Sequence, residues 1–567
     1  MILLRDKNCL VKIGFFPHHN FQTLAWIIIS SFSFVTSVDK DFYRAAVLEL
    51  AQFTNISYPA ADILRINLEV YEIAAKTAAK HGADIIVFPE SGLLPFEKPN
   101  RDWMLSFIED IPDPKKEVVN PCEQESQFRD LPILRRLSCL ARNNHIWVVA
   151  NTVDFKKCDI NTNCIKNKHS ENCTSCPDDG HFFYNTNVVF NRDGIFVVKY
   201  YKRHLYFEAE MNTPDFPEDA YFDTEFGKFT TVICFDLNFK ESVQALDEPG
   251  VLNVAYPTYW FDHTPFIFFA TPYQQAWSMA NNVNLIAADA NFPPTGSLGS
   301  GIYTPNKGAL VYTHNPDGRS KLLISNVPKR PDSSVRVNDL GPLKFFIDNG
   351  KVTPMEGEEK PVFKKECLTT VLKDAENLTD YRCSPTTIDH YQFKKLKKLE
   401  DNIEICDNSF CCSLSYQAES MDEDYFFGVT GQDMNFKDAF KFGTQSCFLA
   451  RCDSIEGKAC SNFILKSTTI FRRVEIKGNF SVNQTLPFAV DSEVRLTKKD
   501  KWTFDKNSQI MYSNFNKKTS LLFFGLHGRR FDHDAIIFKQ SNNAPCLSSI
   551  WNLFILGFCL SIILLIS

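Results

Sequence analysis

The 567-residue sequence lacks several features by which large classes of protein are recognised. It contains no internal repeat, no low-complexity tract and no long run of Lys and Arg interleaved with aromatic residues. The formal net charge of −7 is not concentrated in one segment. The modest negative charge and the lack of a basic run argue against a nucleic acid as partner. The length predicts two or three domains, and the hydrophobic content of 44% supports substantial cores.

A matching histidine pair is also missing beside the Cys173-Thr174-Ser175-Cys176 motif, so a zinc site is disfavoured there. We find no convincing metal cluster and expect no cofactor. The 18 cysteines instead predict disulfides in an oxidising compartment. Cys139 lies among apolar neighbours in a predicted helix and is expected to be a buried free thiol. Ten of the other cysteines crowd two polar segments, one with Cys158, Cys164, Cys173 and Cys176, the other with Cys406, Cys411, Cys412, Cys447, Cys452 and Cys460.

Both ends of the chain predict export. Basic residues precede an apolar run that closes near Ser37, which is typical of a signal peptide over residues 1–37. The apolar core is short for the alternative, an uncleaved membrane anchor. At the other end, Trp551–Ser567 is almost wholly apolar and lacks a basic flank. Small residues precede it, as in a glycosylphosphatidylinositol (GPI) attachment signal over residues 541–567; a transmembrane helix is the alternative. The candidate attachment residues are Ser541, Asn542 and Asn543.

Export also fits the pattern of Asn-X-Ser/Thr sequons, which mark N-glycosylation sites on secreted chains. A lipid-anchored chain would lie on the outer leaflet of the plasma membrane, and a secreted form is also expected. The predicted glycosylation sites are Asn55, Asn172, Asn377, Asn479 and Asn483.

Between these ends, residues 38–340 alternate strands and helices. Helical periodicity from about Ile63 to His81 ends at Gly82, and a second helix is predicted at Leu131–Asn144. A hairpin at 182–201 turns at Asp193-Gly194, and residues 154–181 form a polar insertion. We expect a sheet-rich sandwich with helices on its outer faces. Residues 341–540 are predicted to form a separate, mostly β, disulfide-braced domain.

Three predicted strands each deliver a chemically active side chain. Glu90 follows 85–89, Lys202 follows 195–201, and Cys234 ends an apolar run at 226–235. A thiol must lose its proton to attack a carbonyl carbon. Glu90 would take that proton, while Lys202 would favour the thiolate and stabilise the oxyanion beside the backbone N–H after Cys234. Glu208 would orient the lysine and position the amine or water.

Each of these residues also has a structural interpretation: Glu90 as a turn cap, Lys202 as a solvated strand end and Glu208 as a surface acid. Cys234 could be a small buried hydrophobe or half of a disulfide. A further alternative pairs Cys234 with His204 or His263, as in papain-like enzymes, but the sequence around the cysteine does not match that family.

The three strand ends together resemble the carbon–nitrogen hydrolase (nitrilase) superfamily, in which a Glu, a Lys and a Cys each follow an apolar strand. The likeness is closest to the vanin and biotinidase branch and is strong over about residues 42–330. The matching segments are Phe88-Pro89-Glu90, Tyr201–Leu205, Ile233–Asp236, Leu137–Ala141, Tyr184–Phe190, Tyr256–Trp260 and Ser300–Asn306.

The resemblance implies an α/β fold, a nitrilase-type αββα sandwich with a C-terminal β-rich base domain, and hydrolysis of a secondary amide. Family substrates are pantetheine, cleaved to pantothenate and cysteamine, and biotin amides such as biocytin. Glu90 would be the base, Lys202 the oxyanion stabiliser, Cys234 the nucleophile and Glu208 the auxiliary acid. Tyr259 and Trp260 would line the acyl pocket.

Three functional interpretations follow from this resemblance: a pantetheinase, a biotinidase-like hydrolase, and a surface adhesion or signalling protein that has lost turnover. The intact set of four residues disfavours the last. The sequence departs from the vanin pattern at two places, Ser91-Gly92-Leu93-Leu94 after Glu90 and the long 154–181 insertion. The identity of the amide substrate therefore stays open. The chain is expected to be a monomer or a homodimer.

Overall fold

The computed structural model describes residues 41–95, 100–159, 175–264, 268–333, 341–357, 384–385, 388, 390–452, 466–513 and 520–537. The predicted signal peptide, the predicted GPI signal with Ser541, Asn542 and Asn543, and the sequons at Asn172 and Asn377 lie outside these ranges. The sequons at Asn55, Asn479 and Asn483 lie within them, and all three asparagines are exposed.

An eight-stranded mixed sheet forms the first layer, in the order β15-β14-β13-β1-β2-β3-β4-β5. Its centre, β1-β2-β3, is parallel, and its flanks are antiparallel. Two strands lie beyond the domain boundary predicted at residue 340, because β14 folds back antiparallel onto β13. The strands are β1 (Phe42–Glu49), β2 (Ile85–Val87), β3 (Trp147–Lys157), β4 (His181–Phe190), β5 (Phe196–Tyr201), β13 (Ser320–Pro328), β14 (Leu343–Asp348) and β15 (Lys351–Pro354).

A six-stranded sheet forms the second layer, in the order β12-β11-β10-β8-β7-β6. Its parallel centre is β7-β8-β10. A two-stranded ribbon, β9 (His263–Thr264) with β16 (Ser384–Pro385), lies outside both sheets. The strands of the second sheet are β6 (Tyr221–Thr224), β7 (Gly227–Thr231), β8 (Val251–Pro257), β10 (Asn284–Ala288), β11 (Ser300–Thr304) and β12 (Gly308–Thr313).

Burial along β1 shows why helices must cover these sheets. Successive side chains of a strand point to opposite faces. Ala45 and Val47 belong to the core that includes the second sheet, whereas Ala46 and Leu48 pack with the helices on the outer face. A strand buried on both faces needs a layer on each side. The helices are α1 (Ala60–Lys80), α2 (Arg101–Met104), α3 (Pro132–Asn144), α4 (Lys240–Gln244) and α5 (Ala270–Asn281).

The helices α1 and α3 cover the first sheet, and α5 packs on β10, β11 and β12 of the second. The predicted αββα sandwich is therefore confirmed. The two predicted helices and the 182–201 hairpin are also confirmed. The polar insertion is shorter than predicted, because β3 continues to Lys157 and β4 begins at His181.

The C-terminal part is built from strands in three sheets, which confirms the β-rich prediction. Their orders are β17-β20-β23-β29-β25-β26, β18-β19-β24-β28-β27 and β21-β22-β30. The strands are β17 (Gln392–Lys395), β18 (Glu400–Asp407), β19 (Phe410–Ser420), β20 (Tyr425–Thr430), β21 (Met434–Phe436), β22 (Phe440–Phe442), β23 (Thr444–Arg451), β24 (Ile470–Gly478), β25 (Thr485–Asp491), β26 (Arg495–Leu496), β27 (Trp502–Asp505), β28 (Ile510–Ser513), β29 (Leu521–Arg529) and β30 (Ala535–Ile536).

This C-terminal part does not pack as a detached body. One continuous apolar core joins Phe235 and Trp277 of the sandwich to Phe436, Phe488 and Phe523 of the C-terminal sheets. Helix α5 contacts β25 directly. Within the described ranges, no helix combines the length and apolar character needed to cross a membrane.

The disulfides correct one prediction. Cys139 is not a free thiol but is bonded to Cys122, which lies in the preceding loop. Cys158–Cys176 closes the polar insertion, as expected for disulfide loops; Cys164 and Cys173 lie outside the described residues. Among the described residues of the C-terminal part, Cys406 is bonded to Cys411 and Cys412 to Cys447.

Candidate active site

The three predicted side chains come from the carboxyl ends of strands in both sheets. Glu90 follows β2 and Lys202 follows β5, as expected. The prediction that the strand before Cys234 continues to Phe235 is wrong, because β7 ends at Thr231. Cys234 instead begins a short 3₁₀ helix, Cys234–Asn238, so the amides of Cys234 and Phe235 have no acceptor in a preceding helical turn. The structure brings all three side chains to one place.

A buried ionic network links the lysine to both carboxylates. Lys202 Nζ donates to Glu90 Oε1 over 2.7 Å and also to Glu208 Oε1. Burial alone would lower the pKa of Lys202, but Glu208 and Glu90 outweigh it and raise that pKa well above its usual value. Lys202 is therefore a fixed positive charge. Burial raises the pKa of Glu90, and Lys202 opposes this rise.

Asn185, on β4, bridges the two carboxylates and was not predicted as a site residue. Its amide nitrogen donates to Glu90 Oε1 over 2.7 Å and to Glu208 Oε2 over 2.8 Å. Its amide oxygen accepts from Asn151 Nδ2 over 2.8 Å. Asn151 in turn accepts from the backbone of Ser91 over 2.9 Å, so the turn after Glu90 is fixed from both sides. The segment Tyr184–Phe190 carried part of the family resemblance, which was the available signal.

Cys234 is buried and is the free cysteine of the described residues. Burial raises the pKa of its thiol well above the usual value, and the charge of Glu90 raises it further. Lys202, the Thr258 hydroxyl and the Tyr259 amide act in the opposite direction without outweighing burial. Lys202 therefore acts in the direction expected of it, toward the thiolate, while burial and Glu90 hold the pKa of the thiol above its usual value.

Left-handed backbone recurs at the site. Cys234 has φ +41°, Ser91, directly after Glu90, has φ +52°, and Phe207, directly before Glu208, has φ +54°. Residues other than glycine adopt such angles rarely, and backbone of this kind clusters at active sites.

Asp236 connects the cysteine loop to the lysine loop. Its Oδ1 accepts from the backbone amides of Arg203, over 3.1 Å, and His204, over 2.8 Å. Its Oδ2 accepts from the Tyr200 hydroxyl over 2.9 Å. A single buried carboxylate thus fixes the chain on both sides of Lys202 relative to the turn that begins at Cys234.

Of the two predicted pocket residues, Trp260 lines the cavity beside Cys234. Tyr259 has a different contact: its backbone amide donates to Glu90 Oε2 over 2.9 Å. The cavity has a volume of about 30 Å³. The residues lining the cavity are Tyr206, Cys234, Phe235, Asn238, Trp260, Phe261, His263, Phe268, Phe436 and Phe442.

The two histidines considered as partners of the thiol are engaged elsewhere. The His204 ring stacks on Phe239 with centroids 3.7 Å apart, and its Nε2 lies 3.2 Å from Glu241. His263 lines the cavity, but its Nε2 lies 3.2 Å from the Tyr206 hydroxyl. Burial lowers the pKa of His263 well below its usual value, which keeps the ring neutral.

Comparison with known proteins agrees with this geometry. Residues 44–292 match the carbon-nitrogen hydrolase family, and residues 381–534 match the vanin C-terminal domain. An amidase from Nesterenkonia sp. aligns over 52% of this chain and 93% of that chain, with a TM-score of 0.35 and 18% identity, a likeness too distant to add to the assignment.

Three curated relatives match over most of the chain. A pantetheinase from Mus musculus is 31% identical over 90% of this chain and 92% of its own. A pantetheinase from Sus scrofa is 30% identical (83% and 85%), and a biotinidase from Takifugu rubripes is 29% identical (82% and 88%). The chain therefore belongs to the carbon–nitrogen hydrolase family that contains the pantetheinases and biotinidases, and it is a hydrolase of carbon–nitrogen bonds other than peptide bonds.

Proposed function

We propose that this protein is a cell-surface pantetheinase, which hydrolyses pantetheine to pantothenate and cysteamine by a Cys-Glu-Lys mechanism. The observation that carries the proposal is the buried Glu90–Lys202–Glu208 network beside the free thiol of Cys234. A buried ion pair of this kind is costly to maintain, and perturbed pKa values in a cleft mark functional sites.

The first half-reaction acylates the enzyme. Glu90 takes the thiol proton while the sulfur attacks the amide carbon, so a C–S bond forms and the carbonyl oxygen becomes an oxyanion. Lys202 and the backbone amide after Cys234 stabilise that charge. The tetrahedral intermediate then expels the amine, which receives the proton held by Glu90. Cysteamine leaves and the pantothenoyl group stays on Cys234 as a thioester.

The second half-reaction releases the acid. Glu90 takes a proton from a water molecule that attacks the thioester carbon. The C–S bond breaks, pantothenate leaves, and the sulfur recovers the proton. Glu208 holds Lys202 in place throughout, since it is the second acceptor of the ammonium group. Trp260 lines the acyl pocket, and Tyr259 supports it by fixing Glu90.

Biotinidase-like hydrolysis of biotin amides is the second candidate. It is favoured by one observation: a biotinidase matches this chain about as well as the pantetheinases do. The site chemistry is the same for both, so only the acyl pocket separates them.

The location follows from the same proposal. We propose that the signal peptide directs secretion, that Asn55, Asn172, Asn377, Asn479 and Asn483 carry glycans, and that a GPI anchor attached near residues 541–543 holds the enzyme on the outer leaflet. The observed disulfides fit this compartment. Release of the protein from intact cells by a phosphatidylinositol-specific phospholipase C would support the anchor; retention would contradict it.

The test of the activity is release of free thiol from pantetheine by the secreted protein, with Cys234→Ala as the matched control. The proposal predicts release by the parent alone. Biocytin is assayed in parallel by release of lysine. Turnover of biocytin without turnover of pantetheine would replace the first candidate by the second.

A further inference from the structure

Two successive hydrogen bonds link three polar residues at the aromatic wall of the cavity. Lys437, at the turn of the β21–β22 hairpin, donates from Nζ to the Tyr206 hydroxyl over 2.8 Å. That hydroxyl lies 3.2 Å from Nε2 of His263. Tyr206 and His263 both line the cavity that contains Cys234. None of the three takes part in the proposed chemistry.

The donor inventory fixes the direction of these hydrogen bonds. A lysine ammonium can only donate, so the Tyr206 oxygen accepts from Lys437. The tyrosine hydroxyl still has its own proton to donate, and Nε2 of His263 lies beside it as an acceptor. We therefore assign the proton of the neutral ring to Nδ1. The low pKa of His263, caused by burial and then by the charge of Lys437, agrees with the neutral ring.

Nδ1 of His263 has no hydrogen-bond partner among the described residues. The residue is only about 4% exposed, so water does not readily reach this nitrogen. A buried N–H without an acceptor is destabilising, so such groups call for an explanation. Most of the cavity is aromatic: Trp260, Phe268 and Phe436 are among its walls. A polar group placed in a mostly apolar pocket fixes the orientation of a ligand and contributes to specificity.

The cavity suits the acyl side of the substrate. The acyl group stays on the sulfur after the amine departs, so it needs an enclosed place next to Cys234. The amine side of the substrate has a different requirement, because the amine must leave and water must enter along an open path.

We propose that His263 is a specificity-determining residue, whose Nδ1–H donates to an oxygen atom that the acyl group carries beyond the scissile carbonyl. Tyr206 and Lys437 are positioning residues, which hold the histidine in the tautomer that donates. The preferred substrates are therefore amides whose acyl group carries an oxygen atom beyond the scissile carbonyl and is bound among mostly apolar side chains. This inference rests on the proposed function and specifies the pocket that the mechanism leaves open.

The test uses the full-length protein and three amides: pantetheine, biocytin and N-octanoylcysteamine, whose acyl group has no oxygen beyond the scissile carbonyl. We expect His263→Phe to lower the ratio of kcat/KM for the preferred oxygen-bearing amide to kcat/KM for N-octanoylcysteamine by about 10-fold or more. The preference ratio is read within each protein, so a partial loss of folded enzyme cancels.

Two further variants separate hydrogen bonding from packing. His263→Gln retains a side-chain N–H donor, and we expect it to recover part of the preference that Phe abolishes. Tyr206→Phe keeps the ring but releases Nε2 of the histidine, and we expect an intermediate loss of preference.

The outcomes are distinct. An unchanged preference ratio in His263→Phe, with thiol release retained, would overturn this inference and leave the proposed function standing. Equal loss of turnover on all three amides would also overturn it, because a purely structural role lowers every rate alike. Turnover of none of the amides by the parent would overturn the proposed function and this inference with it.

Discussion

Asn185 donates from one amide nitrogen to Glu90, over 2.7 Å, and the same nitrogen reaches Glu208, over 2.8 Å. Two carboxylates that share a buried site repel each other. A shared donor and the lysine between them are what make this arrangement stable. We therefore expect Asn185 to position both acids.

We predict that Asn185→Asp lowers kcat more than Asn185→Ala does. Both variants remove the donor, but the aspartate adds a third negative charge beside two carboxylates. The expected loss is about 100-fold for Asp and about 10-fold for Ala, measured by steady-state kinetics. Circular dichroism confirms that each variant is folded. Activity within twofold of the parent in the Asp variant would contradict the role given to Asn185.

The pH profile reports on Glu90. Burial raises the pKa of Glu90, and a general base works only when deprotonated. Activity must therefore fall as pH drops through this raised pKa, so the acidic limb of kcat/KM lies above the usual glutamate value of about 4.3. An acidic limb at or below that value, in protein shown to remain folded, would contradict the assignment.

Asp236 gives a prediction with a built-in control. Asp236→Ala leaves the backbone amides of Arg203 and His204 without their acceptor, which we expect to cost about 2–4 kcal/mol of unfolding free energy and most of the activity. Asp236→Asn keeps Oδ1 and is expected to cost about 1 kcal/mol. Urea denaturation measures the difference. Equal loss in both variants would show that the negative charge of Asp236, rather than the acceptor, is what matters.

The Cys122–Cys139 bond is tested by replacing both cysteines with serine. A bond that closes a loop of this length is expected to contribute about 3 kcal/mol. Urea denaturation of the double variant measures the loss. Thiol labelling of the denatured, unreduced parent should modify Cys234 and leave Cys139 unmodified. Labelling of Cys139 would restore the free thiol that the sequence suggested.

These residues also show how far the sequence could be interpreted. The helix at Ala60–Lys80 and the hairpin around Asp193-Gly194 are local features, so periodicity and turn chemistry predict them. Glu90, Lys202 and Cys234 were predicted because each follows an apolar strand, and the structure brings them together. Their catalytic roles stay predictions.

What the sequence concealed depends on distant contacts. Asn185 lies in a strand with no sign that its amide faces two acids, one of them 95 positions away. Cys139 looked like a core residue because its partner lies in an irregular loop. The hydrogen bonds from Lys437 to Tyr206 and from Tyr206 to His263 join the C-terminal part to the sandwich, and no local pattern could predict them.

The most direct test of the account is to find the acyl group on Cys234. The protein is mixed with pantetheine, quenched in acid within the turnover time, digested and analysed by mass spectrometry. The account predicts a pantothenoyl thioester on the peptide that contains Cys234, absent from Cys234→Ala, which also releases no thiol. Continued thiol release by Cys234→Ala, or an adduct confined to another residue, would contradict it.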